Sequence, residues 1–87
     1  MRPMLTLADL ADGQSAYINL LQADGLLRRR LLDLGFTPGT LIRCLWRSAA
    51  GDPIAYAIRD TVIALRRKDA CQIIITDIRS KGEGLWA

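Results

Sequence analysis

Eighty-seven residues can enclose one compact core and not two, so the chain is expected to fold as a single small domain. Hydrophobic residues at 51% and charged residues at 24% match an ordinary globular protein and set intrinsic disorder aside. The net charge is only +3, and the absence of histidine removes the commonest metal ligand and the commonest general base near neutral pH, which weighs against catalysis.

In chain order, Thr6-Leu7-Ala8-Asp9-Leu10 predicts one helical turn, with the Thr6 hydroxyl as N-cap and Asp9 near the positive helix end; Gly13 then ends it. Ser15 to Leu21 reads as a first strand, with Ala16, Ile18 and Leu20 on one face and Tyr17 and Asn19 on the other. Asp24 can cap a helix that starts at Gly25, and Leu27, Leu31 and Leu34 then share a stripe that faces the core. Gly35 stands where a helix needs a left-handed residue to stop, and Phe36 becomes the residue that packs back on Leu31 in a Schellman ending. Pro38-Gly39 follows as a type II turn.

Thr40 to Arg47 reads as the second strand, with Ile42 and Cys44 inward and Arg43 and Arg47 outward beside Leu41 and Leu45. A small-residue loop from Ser48 to Pro53 precedes a hairpin. Its first arm alternates Ile54, Tyr56 and Ile58 with Ala55, Ala57 and Arg59, its tip is Asp60-Thr61, and its return arm from Val62 to Arg66 turns Ile63 and Leu65 to the core. Arg67 to Ala70 is a polar corner, and Cys71 to Thr76, rich in isoleucine, is the last strand. These elements predict a mainly β fold: a small, strongly bent barrel of about five strands with one α-helix inserted after the first, since a flat sheet would expose an apolar face that so short a chain cannot cover. The domain is expected over residues 1–78, with a flexible C-terminal tail over 79–87.

No apolar run reaches the roughly 18 residues that span a bilayer, so the chain is not expected to be membrane-embedded. Met1 to Leu10 lacks the order of a signal peptide, and a cytoplasmic location is expected. Cys44 and Cys71 lie in apolar stretches without C-x-x-C or other metal-type spacing, which reads as two buried thiols in a reducing compartment, with a disulfide between them as the alternative.

Three segments, in this order and spacing, resemble the ferrous iron transport protein A family, FeoA: Arg30-Leu31-Leu32-Asp33-Leu34-Gly35-Phe36-Thr37-Pro38-Gly39-Thr40, then Gly51-Asp52-Pro53-Ile54, then Ile58-Arg59 followed by Ile63-Ala64-Leu65-Arg66. The resemblance runs from about Leu5 to Thr76. It implies an SH3-like barrel that is no enzyme and serves as a small cytoplasmic partner of FeoB, the membrane permease for ferrous iron that carries a GTP-binding domain on its cytosolic side. The barrel is also similar to the carboxy-terminal SH3-like domain of iron-dependent repressors, whose upstream winged-helix and dimerisation segments this sequence does not contain. Two positions depart from the family's pattern: Asp60 stands at the hairpin tip where glycine is usual, and Ala49 where proline is frequent.

Leu41, Leu45 and Trp46 crowd one strand, so in either register at least one large apolar side chain faces away from the core. Two readings stand side by side: the inserted helix covers these residues, or they form, with Leu27, Arg28 and Arg29 of the helix, a docking surface for the permease or for a second copy of the chain. The basic runs Arg28-Arg29-Arg30 and Arg66-Arg67-Lys68 read as a solvated face that steers toward an acidic partner or the negative inner leaflet. Nucleic-acid binding or transcriptional regulation is the alternative from another class, but only five aromatic residues are available for stacking, with Phe36 and Tyr56 expected inside. Asp52, Asp60, Asp69 and Asp77 fall where turn chemistry already favours aspartate, and carboxylates alone do not select ferrous iron, so no metal site, cofactor or catalytic residue is assigned.

Overall fold

The computed structural model describes residues 4–79. A 3₁₀ turn at Leu7–Asp9 leads to strand β1 (Ser15–Leu21), helix α1 (Gly25–Asp33), β2 (Leu41–Arg47), β3 (Ile54–Ile58), β4 (Thr61–Leu65), a short helix α2 (Arg67–Ala70) and β5 (Ile73–Arg79). The five strands form one antiparallel sheet in the order β4-β3-β2-β1-β5, with α1 inserted after the first strand as expected. Side chains from every strand, from α1, α2 and the 3₁₀ turn converge on a single core that includes Leu7, Ile18, Leu31, Phe36, Ile42, Tyr56 and Ile73.

The stop after α1 is the one the sequence predicts. Gly35 takes φ +106, its N–H donates to the Leu32 carbonyl, and the Phe36 N–H donates to the Leu31 carbonyl, the paired bonds of a Schellman ending. Phe36 is thereby turned under the helix and fully buried with Leu31. The start of α1 differs: Asp24 holds the N-cap position but its carboxylate makes no capping bond, because Gly25 enters with φ +58 and the first helical position already departs from helical dihedrals. Thr6 holds the N-cap position of the 3₁₀ turn, and the Asp9 carboxylate closes the corner by accepting from the Thr6 backbone N–H at 2.7 Å and from its hydroxyl at 3.3 Å.

Bulges account for the strand faces that the alternation misassigns. In β1 a register shift against β5 between Ile18 and Leu20 turns Leu20 outward and Leu21 inward. In β2 a shift between Cys44 and Trp46 places Trp46 opposite Ala55, and Ile42 and Cys44 are buried as expected. The hairpin tip is Arg59-Asp60 rather than Asp60-Thr61: Ile58 pairs with Thr61, and Arg59, at φ +55, takes the left-handed conformation. The polar corner is the helix α2, whose first N–H is accepted by the Asp52 carboxylate at 2.9 Å from the β2–β3 loop. That helix carries Cys71 into its C-cap with α-region dihedrals, so Cys71 is exposed rather than buried, and the last strand starts at Ile73. It also runs past the expected end at Thr76: Asp77 sits in it at φ +58 as a bulge, and Arg79, assigned from sequence to the tail, pairs with Ser15. The remainder of the expected tail, residues 80–87, lies outside the described residues.

Residues 5 and 6 close one side of the sheet. The Leu5 carbonyl accepts from the Ile75 N–H at 3.0 Å and Thr6 bridges Ile74, so the outer edge of β5 is partly covered. The segment is anchored across the core by Tyr56, whose hydroxyl donates to the Leu7 carbonyl at 3.0 Å in a fully buried position. Burial pushes the Tyr56 phenol well above the ordinary tyrosine range, and burial also raises the Cys44 thiol.

Two predictions follow from the core. Tyr56→Phe removes the buried hydroxyl's bond to the Leu7 carbonyl, which keeps only the bond from the Leu10 N–H at 3.2 Å, and is expected to lower stability by about 1 kcal/mol in urea unfolding. Because the folded phenol is raised, its contribution is present below about pH 10, where the unfolded side chain ionises, and is lost as pH rises further. The decline of stability above that pH is therefore shallower in the variant; identical profiles would show that Tyr56 plays no such part. For the thiols, a maleimide reagent at pH 7 is expected to label Cys71 in the native protein and Cys44 only in denaturant; rapid native labelling of both would contradict the buried placement of Cys44.

Candidate functional site

Helix α1 buries one stripe and leaves the rest in solvent. Leu31 is enclosed and Leu27 half-buried, whereas Arg28, Arg29, Arg30 and Leu34 are exposed. One Arg28 guanidinium N–H donates to the Leu21 carbonyl at 3.4 Å, tying the first turn of the helix to the end of β1. Leu27, Leu31 and Leu34 form one wall of a cleft of about 450 Å³, and Ala64 and Leu65 of β4 form the facing wall. Arg30, Arg66, Lys68 and Asp69 line it as well. Among the described residues no ion pair joins a carboxylate to Arg30, Arg66 or Lys68, while Arg47 pairs with Asp12 at 3.7 Å.

The second surface is the outer face of the sheet. Leu41 and Arg43 of β2, with Ala57 of β3 and Arg59 just after it, line a shallow depression of about 380 Å³. Leu45 lies two residues further along the strand in a smaller hollow with Asp12 and Gly13. Trp46, carried outward by the bulge, is 55% exposed. Arg47, expected to point into solvent, instead folds back to donate to the Leu10 carbonyl and to meet Asp12, which holds the loop before β1 against β2.

The six residues singled out from sequence therefore occupy two places. Leu27, Arg28 and Arg29 belong to the helix, and Leu41, Leu45 and Trp46 to the outer sheet; the cleft that Leu27 lines contains neither Leu41 nor Leu45. What the sequence reading missed is the pairing of the two basic runs across one cleft. Arg30 comes from α1 and Arg66 and Lys68 from the corner after β4, and only the return of the chain along α1 brings them together. Their spacing along the chain carries no signal of that approach.

Cys44 and Tyr56 are both shifted toward their protonated forms, the opposite of what a nucleophile or base near neutral pH requires. Among the described residues no three cysteine, aspartate or glutamate side chains group as a metal site, and Asp52, Asp60, Asp69 and Asp77 occupy a loop, a hairpin tip, a helix and a bulge respectively. No helix among the described residues is long and apolar enough to cross a membrane.

Comparison with known proteins agrees with this architecture. The FeoA domain family matches residues 5–77. A Porphyromonas gingivalis Fe(2+) transport protein A/Fe(2+) transporter FeoB fusion protein is 34% identical over 76 residues, which cover 87% of this chain and only 9% of that much longer protein. The solution structure of iron(II) transport protein A from Clostridium thermocellum superposes with a TM-score of 0.79 at 34% identity, over 82% of this chain and 44% of that one. Stenotrophomonas maltophilia FeoA, crystallised with zinc and described as an SH3 domain protein, gives a TM-score of 0.80 at 26% identity, over 90% of this chain and 99% of that one. With a family match over nearly its whole described length and the same SH3-like sheet and inserted helix, this chain belongs to the FeoA family.

Proposed function

We propose that this FeoA-family chain is a cytosolic accessory of ferrous iron uptake that binds a FeoB-type permease through protein contacts and modulates it without chemistry of its own. The observation that carries the reading is the fused relative, in which an FeoA unit and the FeoB transporter are parts of one polypeptide. Fusion holds two partners at a high effective concentration, which benefits an interaction that is otherwise weak and reversible. The geometry supports a binder: an exposed tryptophan and two half-buried leucines on the outer face of β2, and a helix that shows arginines to solvent. A binder of this kind changes transport or GTP hydrolysis if it prefers one conformation of the permease over another.

We assign the permease contact to Leu41, Leu45 and Trp46, flanked by Leu27, Arg28 and Arg29 of α1. Nucleic-acid binding has less in its favour, because Phe36 and Tyr56 are enclosed in the core and Trp46 is the exposed large aromatic among the described residues.

The test is calorimetric titration of the chain into the cytosolic domain of the cognate permease. A saturable complex is expected, and Leu45→Glu, at a partly exposed position, is expected to weaken it about tenfold while the melting temperature stays near wild type. If the wild-type chain forms no complex with either the domain or the intact permease, the proposed function fails; if Leu45→Glu binds as tightly as wild type, the assigned contact fails.

A further inference from the structure

The two edges of the sheet are treated differently. The outer edge of β5 receives Leu5 and Thr6, whereas among the described residues β4 pairs with β3 alone. The hairpin joining β3 and β4 has a two-residue loop closed by Ile58 and Thr61, and a closing pair of this kind is hydrogen-bonded. Counting along the register, Thr61, Ile63 and Leu65 direct their backbone groups to β3, and Val62 and Ala64 direct both N–H and C=O away from the sheet. Thr61 to Leu65 contains no proline, lysine or other charge, so it lacks the devices that usually guard a free edge. Val62 is 57% exposed.

Beside that edge lies the cleft under α1, with leucines on its helical wall and with Arg30, Arg66 and Lys68 unpaired with any carboxylate among the described residues. A free strand edge asks for an extended backbone, and three cations against the single carboxylate of Asp69 ask for acidic side chains on it. We propose that an extended, acidic segment of a partner polypeptide adds to the free edge of β4 as a further strand, seated in the cleft beneath α1. The occupant is not a second copy pairing through its own β4, because Thr61 to Leu65 carries no carboxylate to answer the cations. This inference rests on the reading that the chain works through polypeptide contacts, and it adds a surface separate from Leu41, Leu45 and Trp46.

The probe is a synthetic peptide of about ten residues alternating valine and glutamate, with the valine-lysine peptide of the same length as control. Heteronuclear NMR on the full chain is expected to show shifts at Val62, Ala64 and α1 with the glutamate peptide only, and exchange of the Val62 and Ala64 amides slowed about tenfold. Added salt weakens the binding. Ala64→Pro removes an outward N–H without touching the β3–β4 ladder and is expected to weaken binding about tenfold. The Arg30→Glu, Lys68→Glu double variant, altered only at exposed side chains, is expected to lose it, and because both cations sit in the last turns of their helices its melting temperature is measured alongside to show that the fold is retained.

Equal response to both peptides, or shifts confined to Leu41 and Leu45, would overturn the proposal. So would protection of Val62 and Ala64 that grows with protein concentration in the absence of peptide, which would make a second copy the occupant. A cytosolic permease domain that binds while these two amides stay unprotected refutes the edge as its docking site and leaves the accessory function standing. Peptide binding at the edge with no permease complex sinks the accessory function and keeps the edge.

Discussion

The structure turns on the left-handed residue at Gly35. A helix of nine residues cannot bury much by itself, and α1 encloses only Leu31 within its own length. The chain reversal at φ +106, fixed by the paired bonds to Leu31 and Leu32, drives Phe36 beneath the helix and makes it part of the sheet's core. A Cβ at Gly35 would meet only ordinary contacts with Ile58 and Arg59, so the demand for glycine there is conformational rather than steric. Through this one corner the helix is placed over the β4 side of the sheet, and the cleft beside Ala64 and Leu65 exists because of it.

A small sheet has two edges to manage, and the chain spends its first described residues on one of them. Leu5 and Thr6 lie along β5, the 3₁₀ turn buries Leu7 and Leu10, and the buried hydroxyl of Tyr56 holds the Leu7 carbonyl from the far side of the core. Arg47 performs a related task at the surface, linking the Leu10 carbonyl and Asp12 to the end of β2. Polar groups inside or near the core are thus used to fix long-range connections, which a domain with so little apolar surface cannot secure by packing alone. Nothing comparable covers β4 among the described residues, and the asymmetry between the two edges is what gives the molecule a side suited to recognition.

Charge and apolar surface are also divided. The outer face of β2 offers leucines and a tryptophan around Arg43 and Arg59, and the cleft under α1 offers leucines rimmed by Arg30, Arg66 and Lys68. Both suit another polypeptide, by different physics: the first by desolvation of large side chains, the second by backbone pairing and electrostatic complementarity. On the proposed accessory role, contact at both places would let the chain respond to its partner's conformation, because both contacts form together only when the two surfaces of the partner are correctly spaced.

Local signals were enough for much of this. The apolar alternation of Ile42 and Cys44 and of Ile54, Tyr56 and Ile58, the leucine spacing of α1 and the Gly35-Phe36 stop each depend on neighbours within a few positions, and the sequence alone determined the five strands, the inserted helix and the FeoA resemblance. The tertiary structure decided the rest. Leu20 faces out and Leu21 in because β1 bulges against a strand some fifty positions away, Cys71 is exposed because Asp52 from another loop helps start α2, and Arg30 shares a cleft with Arg66 and Lys68 because α1 lies beside β4. Register shifts, caps supplied from a distance and charges that meet across a cleft are set by which surfaces pack together, and no periodicity within a segment records them.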